Sequence, residues 1–175
     1  MQVLTCVGQG ATRRPAPRKD RAAGRRHHAG GTIMAIKDLF GSWKLISHQF
    51  VADGTDERRD NFGADPQGCL VISPDHRMMA LITANDRHPA DGAAGDAALF
   101  KSMLAYGGAL RIEGADQFIT RVEVSWQPAW VGTEQTRIYA LRGDVLTLST
   151  PEMEHPAFPG RKARGVLTWH RMSAF

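Results

Sequence analysis

From Trp43 onward, apolar and polar residues alternate in short runs separated by turn-forming residues. Alternation puts successive side chains on opposite faces of an extended chain, so each run predicts a strand with one buried face. Eight runs follow one another: 43–51, 68–73, 77–83, 106–113, 117–126, 133–141, 145–150 and 165–172. Pro74-Asp75, Gly114-Ala115-Asp116 and Gly143-Asp144 provide short hairpin connections. Residues 52–67, 84–95 and 151–164 are polar or proline-rich and predict longer loops. The period changes once. Leu99, Phe100, Met103 and Leu104 recur at helical spacing behind Asp96, an N-capping residue type, and predict one short helix over 96–105. Asp38-Leu39-Phe40 predicts a turn of helix leading into the first strand.

Sequential strands without βαβ spacing predict an all-β fold, an up-and-down antiparallel β-barrel of about eight strands with one short helix and a disordered N-terminal tail. Closure removes the exposed edges of the sheet. A barrel of eight strands has room for one small ligand. The 175 residues suffice for one domain with a core. No apolar run approaches the ~18–20 residues of a membrane span.

Charge divides the chain. Residues 1–33 hold seven of the 22 basic residues and one of the 18 acidic ones, so they carry +6 and the remainder carries −2. The domain over 34–175 is thus near neutral, which removes the electrostatic basis for nucleic-acid binding. The first 33 residues lack hydrophobic periodicity and read as disordered. Three origins fit them: an over-extended reading frame with Met34 as the start, an Arg-rich transit peptide, or a basic arm for nucleic acid or membrane. No 7–15-residue apolar segment of a signal peptide follows Met1. Cys6 lies in this tail and Cys69 in a strand, so nothing calls for an oxidising compartment. These features predict a cytoplasmic protein without a membrane partner.

Several residues are candidates for chemistry. Gln135, Arg137 and Tyr139 share one face of the 133–141 strand. Pointing inward, Arg137 and Tyr139 are suited to clamp a carboxylate or polarise a carbonyl. Pointing outward, Arg137 is suited to pair with Glu123 on the preceding strand. That strand has an apolar face of Phe118, Val122, Val124 and Trp126 and a polar face of Arg121, Glu123 and Ser125. Only one can face inward in a regular strand. Trp126, Trp130 and Tyr106 suit an aromatic wall, and Phe100 and Met103 a lid or plain core packing. The histidines at 48, 76, 88, 155 and 170 show no metal-ligand spacing, although His48 and His170 would lie on neighbouring strands of a closed barrel. No metal or cofactor site is predicted, and no P-loop, dinucleotide fingerprint or catalytic triad order appears. Gly107-Gly108 reads as a bend that needs close backbone approach.

Gly41-Ser42-Trp43, Tyr106-Gly107-Gly108, Pro128-Ala129-Trp130-Val131-Gly132-Thr133-Glu134-Gln135 with Arg137, Gly143-Asp144 with Leu146-Thr147-Leu148-Ser149-Thr150, and Leu167-Thr168-Trp169 together resemble the bacterial and fungal lipocalin-like domain family. The resemblance covers residues 38–173. It implies a barrel with a ligand cavity and no defined reaction. It also implies a barrel floor in which Trp43 is covered by Arg171. It departs at Thr120-Arg121, where members often carry histidines, so any chemistry of those histidines does not carry over.

The expected function is binding of a small, mainly hydrophobic molecule inside the barrel. Arg137, Gln135 and Tyr139 form its polar anchor, with Ser125 at the polar alternative and Trp126, Trp130 and Tyr106 as the aromatic wall. The alternative is an isomerase or cyclase in the same cavity, with Glu123, Tyr139 or His48 as acid or base. A third class is a filled barrel with a structural role.

Overall fold

The computed structural model describes residues 36–173. The readings of the tail over 1–33, of Met34 as a start and of Cys6 lie outside the described residues. A turn of 3-10 helix over Ile36–Leu39 leads into β1 (Gly41–Ala52). There follow β2 (Arg58–Asp60), β3 (Gln67–Ser73), β4 (Arg77–Thr83), helix α1 (Gly92–Lys101), β5 (Met103–Glu113), β6 (Gln117–Ser125), β7 (Glu134–Arg142), β8 (Val145–Ser149), β9 (Met153–Glu154) and β10 (Lys162–Arg171). Each main strand pairs antiparallel with the next, and β1 pairs with β10 to close the ring. Eight strands make the barrel; β2 and β9 extend its rim beside β1 and β10.

The alternation decides which side chains fill the interior. Leu70 and Ile72 of β3, Met78, Ala80 and Ile82 of β4, Leu146 and Leu148 of β8, and Leu167 and Trp169 of β10 are buried on the inner face. Each of the leucine, isoleucine and methionine side chains contributes about 1.5–3 kcal/mol when removed from water. Lys44, Met79, Leu81 and His170 occupy the other parity and face out.

Two β-bulges break the alternation. Opposite β10 the register runs Leu45↔Trp169 and then Ser47↔Thr168, so Ile46 is an extra residue. It is half exposed, and the inward parity changes from Trp43 and Leu45 to His48. Opposite β5 the register runs Gly108↔Val122 and then Gly107↔Val124, so Glu123 is the extra residue. Gly108 accommodates that bulge: a Cβ there would lie 1.9 Å from the Arg121 carbonyl oxygen. A bulge re-aims the residues beyond it.

One end of the barrel is sealed. Trp43 is fully buried, and its indole N–H donates to the Leu39 carbonyl at 3.0 Å. The Arg171 guanidinium lies 4.1 Å from the Trp43 ring centroid and donates to the carbonyls of Phe40 at 2.9 Å and Asp38 at 2.7 Å. No helix among the described residues is long and apolar enough to cross a membrane.

Candidate ligand-binding cavity

The interior between the floor and the opposite rim is not filled. It contains a cavity of about 690 Å³, within the ~300–1,000 Å³ range of small-molecule sites. Leu70, Met78, Ala80, Ile82, Leu104 and Tyr106 from β3, β4 and β5 form an apolar wall. His48, Gln135, Arg137 and Trp169 from β1, β7 and β10 supply the polar groups.

On β7, Arg137 and Tyr139 are buried and Gln135 is half-buried, so this parity faces inward. Arg137 is 9% exposed and one guanidinium nitrogen donates to the Thr136 carbonyl at 2.7 Å. No carboxylate pairs with it among the described residues. Glu123 is outside the barrel and pairs with Arg77. The acids that line the rim are turned to other partners. Asp60 accepts from Gln49 at 2.8 Å, Glu134 is held by Arg111 at 2.5 and 2.9 Å, and Glu152 lies 3.5 Å from Arg164.

The structure brings only part of the expected site together. Gln135 and Arg137 line the cavity, with the Gln135 amide 3.3 Å from the Thr133 hydroxyl. Tyr139 shares their face but stacks on Phe118, and its hydroxyl donates to the Ala115 carbonyl at 3.3 Å, toward the floor. Burial, followed by the nearby Asp116 charge, raises its pKa. The aromatic group assembles as a chain. Trp126 meets Trp130 edge-on at 5.3 Å, Trp130 meets Tyr106 at 5.6 Å, and the Arg137 guanidinium lies 5.7 Å from the Tyr106 centroid. Trp126 also donates to the Phe100 carbonyl at 2.9 Å, which ties the end of α1 to the rim. Ser125 is absorbed by the corner: its hydroxyl donates to the Ala105 carbonyl at 3.2 Å and accepts from the Gln127 amide at 3.1 Å.

His48 enters the cavity through the Ile46 bulge. It is 6% exposed, packed between Phe50 and Phe62. Burial first, and then the charge of Arg137, lower its pKa from 6.5 to about 3, so the imidazole is neutral. His170 is on the outer face, paired in register with Lys44, and does not meet His48. No group of three or more His, Cys, Asp or Glu residues suited to a metal occurs among the described residues.

Trp169 and Thr120 are interior residues that the sequence reading did not single out for a site. Both are buried, and among the described residues the Trp169 Nε1 and Thr120 Oγ1 atoms lack a hydrogen-bond partner. Buried polar groups are normally paired; the Trp169 ring lines the cavity, but its N–H is enclosed within the wall. The parity of Trp169 with Leu167 was readable; its missing partner was not.

The profile of the lipocalin-like domain family matches residues 40–172. A protein of Aspergillus oryzae (strain ATCC 42149 / RIB 40) named 4'-hydroxy-3'-methoxypropiophenone carrier protein is 29% identical to this chain over 108 residues, covering 57% of this chain and 88% of that protein.

Proposed function

The chain belongs to the lipocalin-like domain family, and from that premise we propose that it binds a small, mainly hydrophobic molecule non-covalently, anchored by Arg137 and Gln135 of β7. The observation that carries this reading is a buried arginine, without an acidic partner among the described residues, beside an unfilled, largely apolar cavity. An isolated buried charge is expensive unless something compensates it. A ligand with an acceptor at one end provides that compensation. The carrier name of the Aspergillus oryzae relative supports the same class of function, and the molecule in that name, an aromatic ketone, is a suitable first probe.

The isomerase or cyclase alternative needs an interior acid or base. Glu123 faces outward, and the Tyr139 hydroxyl is engaged by Ala115. His48 is inside, but a base with a pKa of about 3 takes up protons poorly near neutral pH. Binding is therefore the better-supported reading.

Native mass spectrometry of the purified chain, followed by denaturing extraction and titration with 4'-hydroxy-3'-methoxypropiophenone, tests it. A one-to-one complex is expected, weakened at least about tenfold by Arg137→Ala. A folded variant that binds as tightly as wild type removes the anchor.

A further inference from the structure

Arg137 brings more donors to the cavity than the described residues use. A guanidinium offers five N–H hydrogens and accepts none; among the described residues one hydrogen bond, to the Thr136 carbonyl, engages Arg137. The Asn61 amide nitrogen lies 3.3 Å from Nδ1 and 3.4 Å from Nε2 of His48. An amide N–H donates, so it takes the ring nitrogen that carries a lone pair. The other nitrogen of a neutral imidazole then carries a hydrogen.

Charge points the same way. Among the described residues, the rim acids Asp60, Glu134 and Glu152 are each engaged by outward partners. Arg137 is then the one buried cation on the wall, because His48 stays neutral beside it. A single buried positive charge is balanced by a single negative one. A neutral acceptor hydrogen-bonds to that charge but does not neutralise it.

We propose that the cavity takes an organic monoanion, whose oxyanion receives the N–H hydrogens of Arg137 and whose apolar body lies against Leu70, Met78 and Ile82. This rests on the container reading above and adds the charge of the ligand to it. Carboxylates and sulfonates share the required chemistry, an oxyanion on a hydrocarbon body. Charge-assisted bonds of this kind are the strong ones, and they are stronger away from water.

Two fluorescent probes with the same aromatic body test the proposal: 8-anilino-1-naphthalenesulfonate, an anion, and N-phenyl-1-naphthylamine, which lacks the sulfonate. Each is titrated into wild type, Arg137→Met and Arg137→Lys, with folding checked by circular dichroism. Dodecanoate and dodecanol serve as competitors. Wild type is expected to bind the anion at least about tenfold tighter than the neutral probe. Arg137→Met should weaken the anion at least about 30-fold and leave the neutral probe within about threefold. Arg137→Lys should recover part of the anion affinity. Dodecanoate should displace the anion better than dodecanol does. If the neutral probe binds wild type as well as the anion, or if Arg137→Met leaves anion binding unchanged, the monoanion proposal is overturned and the container reading stands. If neither probe enters wild type, both readings fall.

Discussion

His48 makes the stability of the barrel depend on pH, and one substitution isolates its contribution. In the folded protein, burial and then the Arg137 charge bring its pKa down to about 3. In the unfolded chain it titrates at the ordinary value of about 6.5. Above that value the imidazole is neutral in both states and contributes no pH dependence. As the pH falls below it, the unfolded chain takes up a proton that the folded protein does not, and stability declines until the pH reaches the folded value. At pH 5 the difference amounts to about 1.5 pH units of proton binding, or about 2 kcal/mol. That is a large fraction of the roughly 5–15 kcal/mol that holds a domain folded. The assay is urea unfolding at pH 7.5 and pH 5.0 for wild type and His48→Gln. His155 is also lowered by burial, and Glu57 and Glu134 are lowered chiefly by hydrogen bonds from Arg161 and Arg111. These groups act in both proteins and cancel in the difference. Wild type should lose about 2 kcal/mol more than the variant between the two pH values. Equal losses would refute the argument, because the imidazole would then be solvated or protonated inside the folded barrel.

Four further substitutions probe other parts of the structure. Arg171→Ala removes the stacking on Trp43 and the bonds to Phe40 and Asp38, and should lower the unfolding free energy by about 2–3 kcal/mol in denaturant titration. Gly108→Ala drives a methyl group into the Arg121 carbonyl and should destabilise by about 3 kcal/mol or more. Gly114→Ala, at a positive φ but with open space around it, should lose only about 1 kcal/mol in the same denaturant titration. Trp126→Phe removes the bond to Phe100 that holds the end of α1, and should speed proteolysis within 92–101 while the barrel's melting temperature changes little. Unchanged cleavage would mean that α1 is held by other contacts.

The strands were legible where turn chemistry and alternation agree. Gly143-Asp144 and Gly114-Ala115-Asp116 mark hairpins that the structure contains. The helix was legible in kind and displaced in place. It spans Gly92–Lys101 rather than 96–105, because Gly92 and Gly95 hid its start and Met103, Leu104 and Ala105 pair with β4. The pieces β2 and β9 are three and two residues long, too short to show a period. The common face of Gln135 and Arg137 followed from parity in a regular strand. His48 did not, because parity counted from Trp43 puts it outside until Ile46 is recognised as a bulge. The Glu123 bulge likewise dissolves the choice between two faces of β6. Phe118 and Val122 are buried before it, whereas Val124 beyond it is 58% exposed. A bulge depends on pairing with a distant strand, which no local pattern records.

The clasp at the floor also has a consequence in time. The bond from Arg171 to the Phe40 carbonyl joins positions 131 residues apart, and β1 meets its partner β10 only when nearly the whole domain exists. During synthesis the growing sheet is an open ribbon with β1 waiting at one side. Contacts of such long range are slow to form because the chain loses loop entropy before they reward it. An open edge meanwhile offers its backbone to any neighbouring chain. Nascent chains that stop short of residue 162 are therefore expected to aggregate, and pairing of the last strand with the first to remove that edge.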